Sequence, residues 1–318
     1  MRTACMAALL GAASIASAQG FPTAPVRMMI GYPPGGSADF TARVVAEEMA
    51  KDLGVAVIVE NKPGAGTTIA SDAVAKARPD GQTVLLNWHQ AIPKALLKGK
   101  LGYDPDRAFV PVSRVATGTT VLVVHSSVNA GSLRELIAQA KANPGKLNAA
   151  SGGHGSAPHL ALAAFEAAAG VKFTTVQYKG GGPAAQSVLA GDTHLLFATS
   201  PTVMGFIKAG RLKPLVVAMR KGSPAIPGIP GSEEAGLPQF ESTFWFGIFA
   251  PAGTPAPVVS RLHKSAAASL AKPELRAKIE SQGMDATPSA SPAAFAGEVT
   301  AEGPQLEQLV QNLGAKVE

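Results

Sequence analysis

The chain has 318 residues, a single cysteine and a formal net charge of +6, from 28 Lys and Arg against 22 Asp and Glu. The basic residues form no run and aromatics make up only 5% of the chain, a balance that argues against nucleic-acid binding. Cys5 lies in an N-terminal stretch of export character, so the chain beyond it can form neither a disulfide nor a thiolate metal site.

In that stretch Arg2 is the only charge, Ala7 to Ile15 is apolar, and Ala16-Ser17-Ala18 has the small-residue pattern of a cleavage site. Residues 1–18 therefore read as a secretory signal cleaved after Ala18, too short for a membrane span. The remaining chain is long enough for two α/β lobes.

The pattern then predicts, in order, a buried strand at Val26–Ile30 and a helix capped by Ser37, with Phe40, Val44, Val45, Met49 and Leu53 on one face. Next come a strand at Val55–Val59, a helix from Thr67 or Thr68 to Ala77, closed by Pro79-Asp80-Gly81, and a strand at Val84–Leu86. This β-α-β-α-β order implies a parallel sheet with right-handed crossovers. Phe109–His125 reads as a long extended stretch, and Thr243–Phe249 as a second one. Between them lies another β/α series. Its helices are expected at Leu133–Ala142, Ser156–Ala169 and Ala184–Ala190, and its strands at Leu147–Ala150, Thr174–Gln177, Leu195–Phe197 and Leu215–Ala218. Helices return at Val258–Leu270, Glu274–Gln282 and about Phe295–Leu313. One lobe is thus expected to be inserted in the other: 21–124 with 240–318 as the first, 125–239 as the second, and two extended crossovers as the hinge.

Five junctions in this series are rich in glycine or small polar residues. They are Tyr32-Pro33-Pro34-Gly35-Gly36-Ser37, Asn61 to Thr68, Ser151 to Ser156, Tyr178 to Pro183, and Phe197-Ala198-Thr199-Ser200-Pro201. Glycine lets backbone approach a ligand closely, and a helix start offers free N–H donors at the positive end of its dipole. Several such ends together make an anion site without arginine. The pattern points to capture of a small carboxylate.

Chemistry on the ligand has little support. Gly155-Ser156-Ala157 is not a G-x-S-x-G elbow, and no dinucleotide, Walker or H-E-x-x-H spacing occurs. A secreted serine hydrolase built on Ser156 is the weaker alternative. His154 and His159 are poorly spaced for a metal, so neither metal nor cofactor is expected. Asp39 reads as a structural partner of a helix start, His159 as a packing residue, and Trp245 as core or hinge packing.

The sequence Tyr-Pro-Pro-Gly-Gly-Ser-Ala-Asp at 32–39, Glu-Asn-Lys-Pro-Gly-Ala-Gly at 60–66, Gly-His-Gly-Ser-Ala-Pro-His-Leu at 153–160, Tyr-Lys-Gly-Gly-Gly-Pro-Ala at 178–184, Ile-Lys-Ala-Gly-Arg-Leu-Lys at 207–213 and Phe-Ala-Pro-Ala-Gly-Thr-Pro at 249–255 resembles the Bug family of periplasmic solute receptors. These are the extracytoplasmic components of tripartite tricarboxylate transporters. The resemblance implies an α/β, two-lobed periplasmic-binding (type II, flytrap) fold with two crossover strands. It also implies a periplasmic monomer, a carboxylate ligand, and either the transporter's membrane components or a sensor as partner. Ligand contacts are then expected at Pro34, Gly35, Gly36 and Ser37; Ala65, Gly66 and Thr67; Trp88 and His89; Gly153, Gly155 and Ser156; Lys179 and Gly180; and Ala198 and Thr199. Two departures bear on specificity. Ala198 stands where the family often has Asp or Asn, and Trp88, His89 and Ile92 are bulkier than the small polar residues common there. Both disfavour an α-amino group and favour an aromatic or aliphatic acid.

Overall fold

The computed structural model describes residues 20–97 and 100–312. The expected signal at 1–18 and the end of the last expected helix at Leu313 lie outside them.

Strands β1 (Val26–Ile30), β2 (Val57–Asn61) and β3 (Thr83–Asn87) pair in parallel, with β1 central. They are linked by α1 (Ser37–Leu53), a turn at Ala65–Thr67 and α2 (Thr68–Ala75). Strand β4 (Phe109–Val124) is a single run of 16 residues. Its first part, Phe109 to Thr119, lies antiparallel to β9 (Thr243–Pro251), which also pairs with β3. Its last part, Thr120 to Val124, pairs instead with β7 (Leu195–Thr199) and β8 (Lys213–Val217). Strands β5 (Asn148–Ser151) and β6 (Thr174–Gln177) complete that second sheet in parallel with β7. Two neighbouring strands therefore carry the chain out of one lobe and back into it. The crossing is tied by bonds from Thr120 N to Ser242 O (3.3 Å), Ser242 N to Ala218 O (2.8 Å) and Ala218 N to Thr120 O (2.8 Å).

Each lobe has its own apolar interior. In the first, Met28, Ile30, Leu86, Met49, Phe249 and Phe295 fill the space between sheet and helices. In the second, alternation along β4 sends Leu122 and Val124 to one face, with Phe165, Phe197 and Phe240, and Val121 and Val123 to the other, with Leu196 and Val203. The second lobe's helices are α4 (Leu133–Ala142), α5 (Ala157–Ala169), α6 (Gly181–Ala190) and α7 (Ser200–Lys208).

Three elements differ from the sequence pattern. The stretch expected as a cleft loop at 87–92 turns into helix α3 (Ala91–Leu97), with Pro93 tolerated in its first turn. A second unforeseen helix, α7, comes directly after β7, again with proline in its first turn. The short strand β10 (Met284–Ala286) pairs with β4 between α9 (Pro273–Glu280) and α10 (Pro292–Asn312). Helix α8 (Ala256–Leu270) falls where the periodicity placed it. Helix α10 packs on α3, joined by the ion pair Lys94–Glu307 at 2.9 Å.

Candidate functional site

The lobes touch across a cleft. A Cβ added at Gly155 would lie 2.6 Å from both Ile92 Cγ2 and Leu96 Cδ1, and one at Gly180 would lie 2.6 Å from Pro33 Cγ. Real Cβ atoms do not approach so closely, and φ is +72° and +119° at these two positions, so only glycine suits them. Ala157 and Leu160 of the second lobe join the core of the first through this contact.

Inside the cleft, four helix starts meet at one cavity of about 40 Å³. Gly36, Ser37 and Ala38 come from the start of α1, Ser156, Ala157 and Pro158 from α5, Gly181 and Gly182 from α6, and Thr199 and Thr202 from α7. The first of these starts belongs to the first lobe and the other three to the second. Helices α1, α6 and α7 have no side-chain cap, so their first N–H groups meet no side-chain acceptor. The remaining wall is apolar, with Trp88, Pro33, and Phe244 and Phe246 projecting from β9. Tyr32 also lines it, and burial pushes its phenol up to about 12, so it stays protonated near neutrality. No acidic side chain lines the cavity. Converging donors and positive dipole ends in an apolar enclosure make a place for a small anion.

Local bonding explains how these loops hold. The N-cap of α1 is Gly36, not the expected Ser37, which is the first helical residue. Ser37 cannot cap from that position because its backbone is already helical. Asp39 is buried in the first turn of α1, where it accepts from Gly35 N (3.1 Å), Arg43 Nε (3.0 Å) and Asn61 Nδ2 (3.0 Å). Burial pushes its carboxyl up, but the bonds from Arg43, Asn61 and Gly35 outweigh that and hold it below its ordinary value. It thus fixes the loop, as the sequence suggested. Ser156 is the true cap of α5. Its Oγ accepts from His159 N (3.3 Å) and donates to Gly153 O (2.7 Å).

A second, larger space of about 590 Å³ adjoins the first, and Tyr32, Pro33, Trp88, Gly152 and Ser156 line both. Ala65, Gly66, Thr67, His89, Gly153, Gly155, Lys179 and Gly180 line this outer groove. Thr67 sits there at φ +78°, unusual for a β-branched residue, with its hydroxyl accepting from Asn87 Nδ2 (3.0 Å). Of the expected residues, the structure gathers Gly36, Ser37, Trp88, Ser156 and Thr199 at the inner cavity and the rest at the groove, except three.

Pro34 and Gly35 form a turn that lines neither space, and the Gly35 N–H is taken up by Asp39. Ala198 also lines neither: alternation along β7 turns it into the core with Val121 and Val203. His89 lines the groove, yet its Nε2 is bonded to Val299 O of α10 at 2.6 Å and its ring packs on Trp245. Burial lowers its pKa, against the opposite pull of the Val299 carbonyl, Glu302 and Glu307. Trp245 is a packing residue, with Nε1 donating to Glu302 Oε2 at 2.6 Å.

Of the other lining residues, Tyr32, Pro33, Ala38, Gly152, Ala157, Pro158, Gly181 and Gly182 lie within the loop motifs read from the sequence without having been singled out, whereas Thr202, Phe244 and Phe246 were missed. Helix α6 begins one turn before its apolar pattern, which brings Gly181 and Gly182 to the cavity. The i, i+2 spacing of Phe244 and Phe246 on a crossover strand was a usable signal for a shared face.

The Ser156 hydroxyl bonds only to backbone, and the His159 Nδ1 accepts from Gly155 N at 3.2 Å, so no imidazole is set to activate this serine. Among the described residues no group of three or more His, Cys, Asp or Glu could hold a metal ion, and no helix is long and apolar enough to cross a membrane.

Residues 41–309 match the family described as the tripartite tricarboxylate transporter family receptor. Protein BugT of Bordetella pertussis is 34% identical over 98% of this chain and 95% of its own length. A protein of R. palustris solved with adipate is 30% identical, with a TM-score of 0.87, over 93% of this chain and 99% of that one. MatC of Rhodopseudomonas palustris, solved with bound malate, is 30% identical, with a TM-score of 0.84, over 91% of this chain and 100% of that one.

Proposed function

Because the chain belongs to the tripartite tricarboxylate transporter receptor family, we propose that it captures one small carboxylate between its lobes in the periplasm and delivers it to the membrane components of such a transporter. The observation that carries this reading is the meeting of four helix starts, from both lobes, at one enclosed cavity with no acidic side chain. A carboxylate suits that cavity because its charge is met by backbone donors and dipole ends, without a counter-charge that would have to be desolvated. The adipate and malate held by two relatives support the same ligand class.

In this reading residues 1–18 direct export and are removed, the receptor acts as a monomer, and it leaves its ligand chemically unchanged. The two lobes comprise roughly 21–124 with 240–318, and 125–239, with the hinge where β4 exchanges partners at Thr119 and Thr120.

Calorimetric titration with a panel of mono-, di- and aromatic carboxylates tests the proposal. One or more acids should bind at a stoichiometry of one, raise the melting temperature, and be recovered intact by mass spectrometry. Absence of binding across the panel, or accumulation of a product over hours, would contradict it.

A further inference from the structure

The chain crosses between the lobes on β4 and β9, and a further link joins them without a covalent crossing. Thr120 N donates to Ser242 O and Thr120 O accepts from Ala218 N, so β9 and β8 lie along one edge of β4. Strands β7 and β10 share the other edge. Strand β7 ends with Thr199 opposite Thr120, and β10 begins with Met284 opposite Gly118. The two strands, one from each lobe, therefore meet end to end at the level where β4 changes partners.

Their meeting is packed and bonded. Ser200 is fully buried and donates from Oγ to Gly283 O at 2.8 Å. A Cβ added at Gly283, where φ is +75°, would lie 2.8 Å from Ser200 Cβ and 2.7 Å from Ile226 Cγ1, so only glycine suits the position. Ile226 is buried with Val203 and Val217 in the second lobe, whereas Met284, next to Gly283, is buried in the core of the first. Lys208, at the far end of α7, donates to Ser281 O at 3.2 Å, and α7 also packs against α1. Helix α7 belongs to the second lobe by chain order, yet both of its ends are fastened to the first. Its start carries Thr199 and Thr202 to the inner cavity.

Resting on the two-lobed, hinged reading above, we infer that Ser200 is a positioning residue, and that its contact with Gly283 and Ile226 is a third, non-covalent link across the hinge. The link lies at the level of the crossover, where a swing of the lobes displaces atoms least, so it persists when the cleft opens. The starts of α1 and α7 then stay together in the open protein as a preformed half of the site. The starts of α5 and α6 arrive with the closing lobe.

The test begins with the ligand-free protein. A nuclear Overhauser contact between the Ile226 δ-methyl and the Gly283 α-protons should be present there, and its absence overturns the inference. The chain beyond Cys5 has no cysteine, so spin labels at Arg78→Cys and Lys141→Cys, exposed positions on opposite lobes, report the distance between lobes. In Ser200→Ala, and in Ile226→Ala as a second variant, the ligand-free distance distribution should broaden. Affinity for adipate, the acid held by a relative, should fall about 5-fold, as for one hydrogen bond lost from the organised site. Variants that only melt lower, with the parent's distribution and affinity, would make the contact ordinary packing and overturn the inference. If adipate does not bind the parent, that result bears on carboxylate capture, and the two ligand-free measurements still decide the link.

Discussion

The indole Nε1–H of Trp88 is buried in the wall of the inner cavity and has no acceptor among the described residues. A buried donor of that kind is costly unless something meets it, and a ligand oxygen in the cavity would do so. Trp88→Phe keeps an aromatic ring beside Phe244 and removes the donor. Carboxylate affinity should then fall about 10-fold by calorimetry; unchanged binding would place the indole outside the site. His159 offers a test of stability at the same scale. Burial, with the charges of His154 and Lys172 behind it, lowers its pKa from 6.5 to about 4. The unfolded chain therefore binds a proton between these values that the folded protein does not, so stability rises with pH across that window and falls as pH drops through it. The loss should be on the order of 3 kcal/mol between pH 7 and pH 4. In His159→Asn, which keeps an acceptor for Gly155 N, that part of the pH dependence should vanish from denaturant melts; its persistence would assign the slope to other groups.

At the scale of elements, the uncapped helix starts are the central device, and they make a prediction of opposite signs. Gly36 is the N-cap of α1, in extended backbone, with nothing within 4 Å of where a Cβ would stand. Gly36→Asp should cap the helix and raise stability by a few tenths of a kcal/mol, while its own carboxylate occupies the donors meant for the ligand and abolishes binding. A variant that melts higher and binds normally would mean that the start of α1 does not hold the carboxylate. These starts were largely legible in the sequence, because glycine-rich turns after short apolar runs mark helix entries in open α/β sheets. Helices α3 and α7 were not, because each begins with proline in its first turn and reads as a loop until the chain is seen to continue helical. Ala198 was misassigned because the strand pattern gives two faces without saying which is the core. His89 was partly misread because its partner Val299 lies 210 residues away, beyond any local signal. The inner wall of Phe244 and Phe246 depended on the pairing of β9 with β4, which is likewise non-local.

For the whole molecule, the lobes meet where glycine backbone packs against side chains of the facing lobe, chiefly Gly180 on Pro33 and Gly155 on Ile92 and Leu96. Hinge closure on binding requires contacts that exist only when the lobes meet, and these glycine contacts qualify. Scattering should show a smaller radius of gyration with a bound acid than without it. Gly180→Ala should keep the lobes apart, weakening binding and leaving a larger radius at saturation. Adding Pro33→Ala removes the Cγ and Cδ atoms in contact and should restore part of the closure, which a purely local strain at φ +119° would not allow.

The most direct measurement for the account as a whole is a crystal structure with the tightest-binding acid. It should show one carboxylate in the inner cavity, within hydrogen-bond distance of backbone N–H groups at the starts of α1 and α6, directly or through one water, with the lobes closed. An acid bound elsewhere, or an inner cavity left without an anion in the closed protein, would contradict it.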